Sequence, residues 1–195
     1  MEKQIKSKAR VADFGEVYTA RKQVVDMVNM VQEDVSEIQT TVFEPACGDG
    51  NFLAEVLSRK LANMNLRCFS PAYAEWIVLQ AVASIYGIDI QADNAAECRE
   101  RLYQIVLKSG LLWSNEAKTM AKRVLRKNIQ CGDTLTMKAA DGTPLTISEW
   151  EIRKNGTAVR KDVLLQDMLD NGGESTSYIR RRYYRWSPSE MKKTA

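Results

Sequence analysis

The stretch Val42-Phe43-Glu44-Pro45-Ala46-Cys47-Gly48-Asp49-Gly50-Asn51-Phe52-Leu53 constrains this chain more than any other. A short β-branched run, Thr40 to Phe43, leads into a tight turn at Gly48-Asp49-Gly50. A helix opens at once, with Phe52, Leu53, Val56, Leu57 and Leu61 on one side. A strand that ends in glycines and starts a helix lets backbone N–H groups approach a ligand with no side chain in the way. Such a corner suits a nucleotide-like cofactor at the carboxyl edge of the first strand of an α/β sheet. The spacing is not that of dinucleotide-binding proteins, because Leu53 stands where the third glycine of G-x-G-x-x-G belongs. By spacing alone, an ordinary strand-turn-helix corner stays open as a reading.

The flanking sequence repeats the alternation. Thr19 is placed to cap a helix whose apolar face is Val24, Val25, Val28, Val31 and Val35. Pro71 suits the first turn of a helix carrying Trp76, Ile77, Leu79, Val82 and Ile85. A strand follows at Tyr86-Gly87-Ile88-Asp89-Ile90, then helices over about 93–108 and 115–127, then a third strand from Asn128 to Cys131 that ends at Gly132-Asp133. Strands alternating with helices predict βαβ units and a parallel sheet. Beyond residue 135 the pattern changes: Thr143 to Val163 alternates around Asn155-Gly156, a strong hairpin signal. With 195 residues and 45% apolar content, the expectation is one domain over 1–170 and a polar tail over 171–195.

There is no histidine, and Cys47, Cys68, Cys98 and Cys131 stand far apart with no C-x-x-C pair. That argues against a zinc site and predicts a reduced, cytoplasmic protein without metal. No apolar run approaches the length of a membrane span, and no apolar segment follows the first residues as a signal peptide requires. The net charge of +3 is unevenly spread: Arg180, Arg181, Arg182, Arg185, Lys192 and Lys193 cluster near the end, with Tyr183 and Trp186 among them. A mixture of guanidinium groups and aromatics can bind phosphates and stack on bases, while a solvated or partner-bound tail has the same composition.

Two acids stand at strand ends. Asp89 ends the second strand, where a carboxylate can accept from both ribose hydroxyls of an adenosine. Asp133 ends the third, where it can accept from an adenine amine while Leu135 covers the ring. Taken singly each is an ordinary turn aspartate. Together with the glycine turn they mark the ends of three successive strands.

These motifs jointly resemble the amino-terminal part of the N6-adenine DNA methyltransferases of restriction-modification systems. Phe14-Gly15-Glu16-Val17-Tyr18-Thr19-Ala20 is similar to that family's F-G-E-V-F-T-P, with Ala20 in place of proline. Glu44 to Phe52 resembles its first motif, Tyr86 to Ile90 its ribose-binding strand, and Gly132-Asp133-Thr134-Leu135 its adenine-binding turn. The resemblance covers about residues 10–165. It implies a truncated Rossmann-like methyltransferase fold with an N-terminal helix and a C-terminal β-hairpin, and S-adenosylmethionine as cofactor. It also implies that Tyr18, Thr19, Glu44, Ala46, Cys47, Gly48, Asp49 and Asn51 surround the methionine part. Asp89 and Ile90 would hold the ribose and adenine edge, and Asp133 and Leu135 the adenine.

In that family a fourth strand ends in Asp, Asn or Ser followed by Pro-Pro and an aromatic residue. Such a site accepts the hydrogens of a weakly nucleophilic amine and stacks on the flipped-out base. This sequence has no Pro-Pro, and Ser187-Pro188-Ser189-Glu190 lacks the aromatic. The expectation is therefore a protein that does not methylate DNA alone. A first strand without its fourth-strand neighbour has an open edge. The hairpin, a second copy of this chain or a complementary methyltransferase subunit could cover it, and a second chain is the expected one. A non-catalytic binding or regulatory remnant of a restriction-modification or mobile-element system is the other reading kept. An enzyme for a different adenosine-containing ligand is a third, and the missing dinucleotide glycine counts against it.

Overall fold

The computed structural model describes residues 5–62, 69–174 and 177–188. Cys68, Lys192 and Lys193 lie outside them. In chain order the elements are α1 (Lys8–Phe14), α2 (Arg21–Met30), α3 (Gln32–Val35), β1 (Val42–Glu44), α4 (Asn51–Ala62), α5 (Pro71–Ala83), β2 (Ile85–Asp89), α6 (Ala92–Lys108), α7 (Asn115–Asn128), β3 (Ile129–Asp133), β4 (Lys138–Ala139), β5 (Thr146–Ile152), β6 (Thr157–Leu164), α8 (Leu165–Asp170) and β7 (Arg180–Arg185). The chain is mixed α/β. β1, β2 and β3 pair in parallel in that order, β4 adds antiparallel to β3, and β5, β6 and β7 form a separate antiparallel sheet. Among the described residues no helix is long and apolar enough to cross a membrane.

The parallel strands are short, and β2 is buried along its whole length because both faces are covered. Val42, Ile85 and Ile129 share a core with Leu53, Val56 and Leu57 of α4, Cys98 and Leu102 of α6, and Val78 of α5. The alternate residues Tyr86 and Ile88, with Phe43 beside them, meet Leu145, Ile147, Val163 and Leu165. One face is thus packed by helices, and the other takes apolar side chains from the hairpin and from the start of α8. The Tyr86 hydroxyl fixes this second contact by donating to the Ser148 carbonyl at 2.9 Å. The hairpin covers a face of the parallel sheet and does not pair with β1. Among the described residues β1 has a strand on one side only.

Two expectations are corrected. The helix expected to be capped by Thr19 and to run to about residue 35 is α2: its N-cap is Ala20, and it stops at Met30, where Val31 leaves helical geometry before the short α3 begins. The residues from 171 onward are not a free-standing tail over their described part. Arg180–Arg185 pairs with β6 from Asp162 to Thr157 as the third strand of the antiparallel sheet. The Asn155-Gly156 turn explains the docking. Gly156 has φ +80°, its carbonyl accepts the Trp186 N–H at 2.8 Å, and a Cβ there would stand 2.5 Å from the Trp186 oxygen. The indole then sinks into the main core, leaving Trp186 2% exposed.

The entry to β1 rests on a buried cation. Lys60 of α4 is fully buried, and its ammonium donates to the carbonyls of Glu37 at 2.6 Å, Thr40 at 2.8 Å and Ile38 at 3.3 Å. Its apolar stem crosses the core while the charged end collects the loop before the strand. Lys60→Met keeps the stem and leaves those carbonyls without their donor, a loss of about 2 kcal/mol or more. Urea denaturation should show the lower midpoint with an unchanged slope; an unchanged midpoint would remove this role for Lys60.

Candidate functional site

Parallel pairing brings the carboxyl ends of β1, β2 and β3 to one end of the sheet, so Glu44, Asp89 and Asp133 are neighbours in the fold. The glycine turn lies over the first two ends. Gly48 and Gly50 have φ of +53° and +87°, a conformation that disfavours side chains. Gly50 is also packed onto α6, where an added Cβ would come within 2.6 Å of the Cys98 sulfur. Gly87 in β2 permits the other close approach: a Cβ there would meet the Leu53 and Cys47 side chains at 2.9 and 3.0 Å. The turn can sit this low only because β2 has no side chain at that point.

Asp89 is buried and fully engaged at the centre of this end. One oxygen accepts the Gly48 N–H at 2.9 Å, and the other accepts the Gln91 N–H at 2.8 Å and the Asn94 side-chain amide at 3.2 Å. Asn94, 2% exposed, then passes the connection to the N-terminal segment. Its amide also donates to Glu16 at 3.2 Å, and its oxygen accepts from the Tyr18 hydroxyl at 2.9 Å. The Tyr18 ring lies against the glycine turn, 3.5 Å from where a Gly48 Cβ would be. Burial first, and then the Glu16 carboxylate, push the Tyr18 hydroxyl up to about 12.

Ion pairs fasten the same segment from outside. Lys6 reaches Asp93 at 2.9 Å and Glu97 at 2.8 Å, and Arg10 bridges Glu16 and Asp93. The two cations hold Asp93 well below the usual carboxylate range. Residues 6–18 therefore form a strap across the start of α6. Arg101 closes the other flank by donating to both Asp49 and Asn51. Burial raises Asp49 while Arg101 opposes the rise.

Glu44 differs from all of these. It is half-buried, and its buried Oε2 has no hydrogen-bond partner. Burial, reinforced by the charges of Asp89 and Asp49, pushes its carboxyl up to about 7. It faces a cleft also lined by Tyr18, Thr19, Ala46, Cys47, Gly48, Asp49 and Asn51, with Val17, Val24, Met27 and Phe52 as its apolar part. These include every residue expected around the methionine part of the cofactor. Contact with Cys98 and burial both push the Cys47 thiol up.

The residues expected around the adenosine stand apart from that cleft. Ile90 and Leu135 are 55% and 94% exposed. Asp133 is turned back on its own loop, accepting from the Leu135 N–H at 2.9 Å and the Thr136 hydroxyl at 2.9 Å. That loop still reaches the first strand's turn, since the Thr134 hydroxyl donates to the Pro45 carbonyl at 3.2 Å. Of the expected nucleic-acid residues, Arg180, Arg181, Arg182, Tyr183 and Arg185 are exposed on β7, whereas Trp186 is buried and not free to stack on a base. Sequence reading missed Lys6, Arg10, Asn94 and Arg101. Each is an unremarkable polar residue in a helix or loop, and each has at least one partner more than 40 residues away in the chain. Among the described residues no group of three or more His, Cys, Asp or Glu could hold a metal ion.

Comparison with protein-family models, curated proteins and solved structures gives no match. The chemistry of the cleft rests on its own geometry.

An isolated buried carboxylate predicts a pH signature. Glu44 is protonated below about 7 in the folded chain and below about 4.5 in the unfolded one. Its favourable contribution is thus complete below the lower value and is lost as pH rises through the higher, by on the order of 2–3 kcal/mol. Glu44→Gln should gain in Tm relative to wild type between about pH 5 and pH 8. A Tm difference that stays constant over that range would contradict the burial argument.

Proposed function

We propose that this chain binds S-adenosylmethionine at the carboxyl end of its parallel sheet, as the cofactor half of a Rossmann-like, DNA adenine-N6 methyltransferase type of protein. The observation that carries the reading is the half-buried Glu44 carboxylate, whose buried Oε2 has no hydrogen-bond partner, in a cleft beside a glycine turn. A carboxylate of this kind favours a cationic group, and the cofactor's ammonium group and sulfonium centre are cationic. Gly48 and Gly50 leave the approach to the turn open, and Val17, Met27 and Phe52 offer apolar surface to an aliphatic chain.

The residues that would hold the methionine part are Tyr18, Glu44, Ala46, Gly48 and Asn51, and the ribose would approach Asp89. The adenine would lie between Ile90 and Leu135, whose exposed side chains can close over a ring, with Asp133 at its amine. When bound, the cofactor supplies an electrophilic methyl group. This chain's part is to bind and orient it, with Tyr18 and the strap limiting water. The strand that accepts the hydrogens of the target amine and stacks on the base would come from a second chain, paired with the open edge of β1. A complementary subunit suits this better than a second copy, which would lack the same motif.

One observation favours a second reading, in which the fold persists as a binding or regulatory module of a restriction-modification or mobile-element system. Asp49, Asn51, Asp89 and Asp133 already have internal partners, so a ligand has to compete for them.

Titration calorimetry with S-adenosylmethionine decides between the two. The first reading expects micromolar binding, weakened about tenfold or more in Glu44→Gln and Asp89→Ala, roughly 1.4 kcal/mol each. Affinity should rise with pH through about 7 and then level off, because the cation binds the ionised Glu44. Folded wild-type protein that gives no heat at any pH would leave the second reading.

A further inference from the structure

We infer that the face formed by the C-terminal half of α7 and the adjoining strand β7 is a binding surface for the phosphate backbone of nucleic acid. Its cations are Lys122, Arg123, Arg126 and Lys127 on the helix and Arg180 and Arg182 on the strand, all exposed. No acid occurs in the sequence between Glu116 and Asp133, or between Glu174 and Glu190.

Several cations elsewhere in the molecule are neutralised by ion pairs. Lys6, Arg10, Arg59, Arg101, Arg153 and Arg160 each sit against a carboxylate. None of the cations on the α7–β7 face forms an ion pair with a described residue. They crowd one another instead: burial lowers the Lys127 pKa, and the positive charges of Arg160, Arg180 and Arg126 lower it further against the opposing Asp162 carboxylate. Cations in the last turn of a helix are favoured by its dipole, and charged residues on an edge strand discourage strand pairing. Neither effect accounts for Lys122 and Arg123.

Aromatic rings hold some of these groups in place without neutralising them. The Arg123 guanidinium lies 4.9 Å from the Tyr184 ring centre, and the Lys122 ammonium 4.6 Å from that of Tyr103. On the other side of α7, Lys122 and Arg126 converge with Arg99 on a cleft beside β3. The acid at its rim, Asp141, is engaged by the Thr143 N–H and hydroxyl. Most of the heads are guanidinium groups, which meet phosphate in a fork.

This face is not the place where a target base would meet the cofactor cleft. α7 runs directly into β3, so its last turn lies at the amino end of that strand, and Asp133 is at the other end. Across the 5 residues of β3 the separation is roughly 13 Å. A nucleic acid held here is gripped by its backbone, without sequence readout, and the surface does not depend on cofactor binding.

The test is fluorescence anisotropy of the full chain with a labelled DNA duplex and a single strand of equal length, from about 50 to 200 mM salt. Binding should weaken linearly in log–log form, and Lys122→Gln/Arg126→Gln and Arg180→Gln/Arg182→Gln should each reduce the slope by about 2. A Lys8→Gln/Lys22→Gln control should leave it unchanged, and Lys122→Arg should bind like wild type. Circular dichroism melts establish that each variant is folded. Tighter binding of one probe identifies the form of nucleic acid held, by duplex backbone or by stacked single strand. Absence of binding at the lowest salt, slopes unaltered in both face variants, or equally tight binding of poly-glutamate would overturn the proposal.

Discussion

The carboxylate of Asp89 joins three parts of the chain that are remote in sequence. It takes one backbone N–H from the turn after β1, one from the start of α6, and an amide from Asn94, which in turn holds Tyr18. A buried carboxylate is costly unless its lone pairs are filled, so these donors are bound to one another's positions through it. The glycine turn, the N-terminus of α6 and the strap all take their place from that group. Even so, the cleft beside it contains a second carboxylate, Glu44, that has no such support.

The contrast between the two acids is the main chemical asymmetry of the site. Asp89 is held by hydrogen bonds and works as a structural hub. Glu44 has a buried Oε2 without a donor, and its raised pKa records the cost of charging it there. Buried, unpaired acids in clefts are candidates for function because a fold gains nothing from them otherwise. The strap over this cleft is fastened largely by exposed or half-exposed ion pairs through Lys6 and Arg10. Such pairs contribute little stability each and are weakened by salt, so the strap is the part of the site least firmly closed.

The second face of the parallel sheet shows how a short chain buries a strand on both sides. α4, α5 and α6 contribute to the core on one face, and an antiparallel hairpin supplies the apolar cover on the other. That solution leaves β1 with a strand on one side only among the described residues, while keeping Tyr86 and Ile88 dry. It also draws in the arginine-rich strand, which pairs with β6 and buries Trp186. Composition pointed to a tail because four arginines look solvated. The strand nevertheless forms, because only Trp186 and part of Tyr184 need to be buried and the guanidinium groups remain in water.

The local backbone chemistry was legible in the sequence. The glycine turn, the β-branched strands, the Asn155-Gly156 hairpin and the helices after Pro71 and Asp93 follow from steric limits that act within a few residues. The set of residues around the cleft was legible too, because Glu44 to Asn51 are contiguous and Tyr18 and Thr19 belong to one short motif. Tertiary structure alone decided what those residues are bonded to. Nothing near Asp49 in the chain announces Arg101, nothing near Asp89 announces Gly48, and nothing near the arginines of β7 announces the unpaired cations of α7. Electrostatic partners and burial depend on distances that the chain sets only when it is folded, so the protonation of Glu44 and the crowding of charge at α7 were not legible until then.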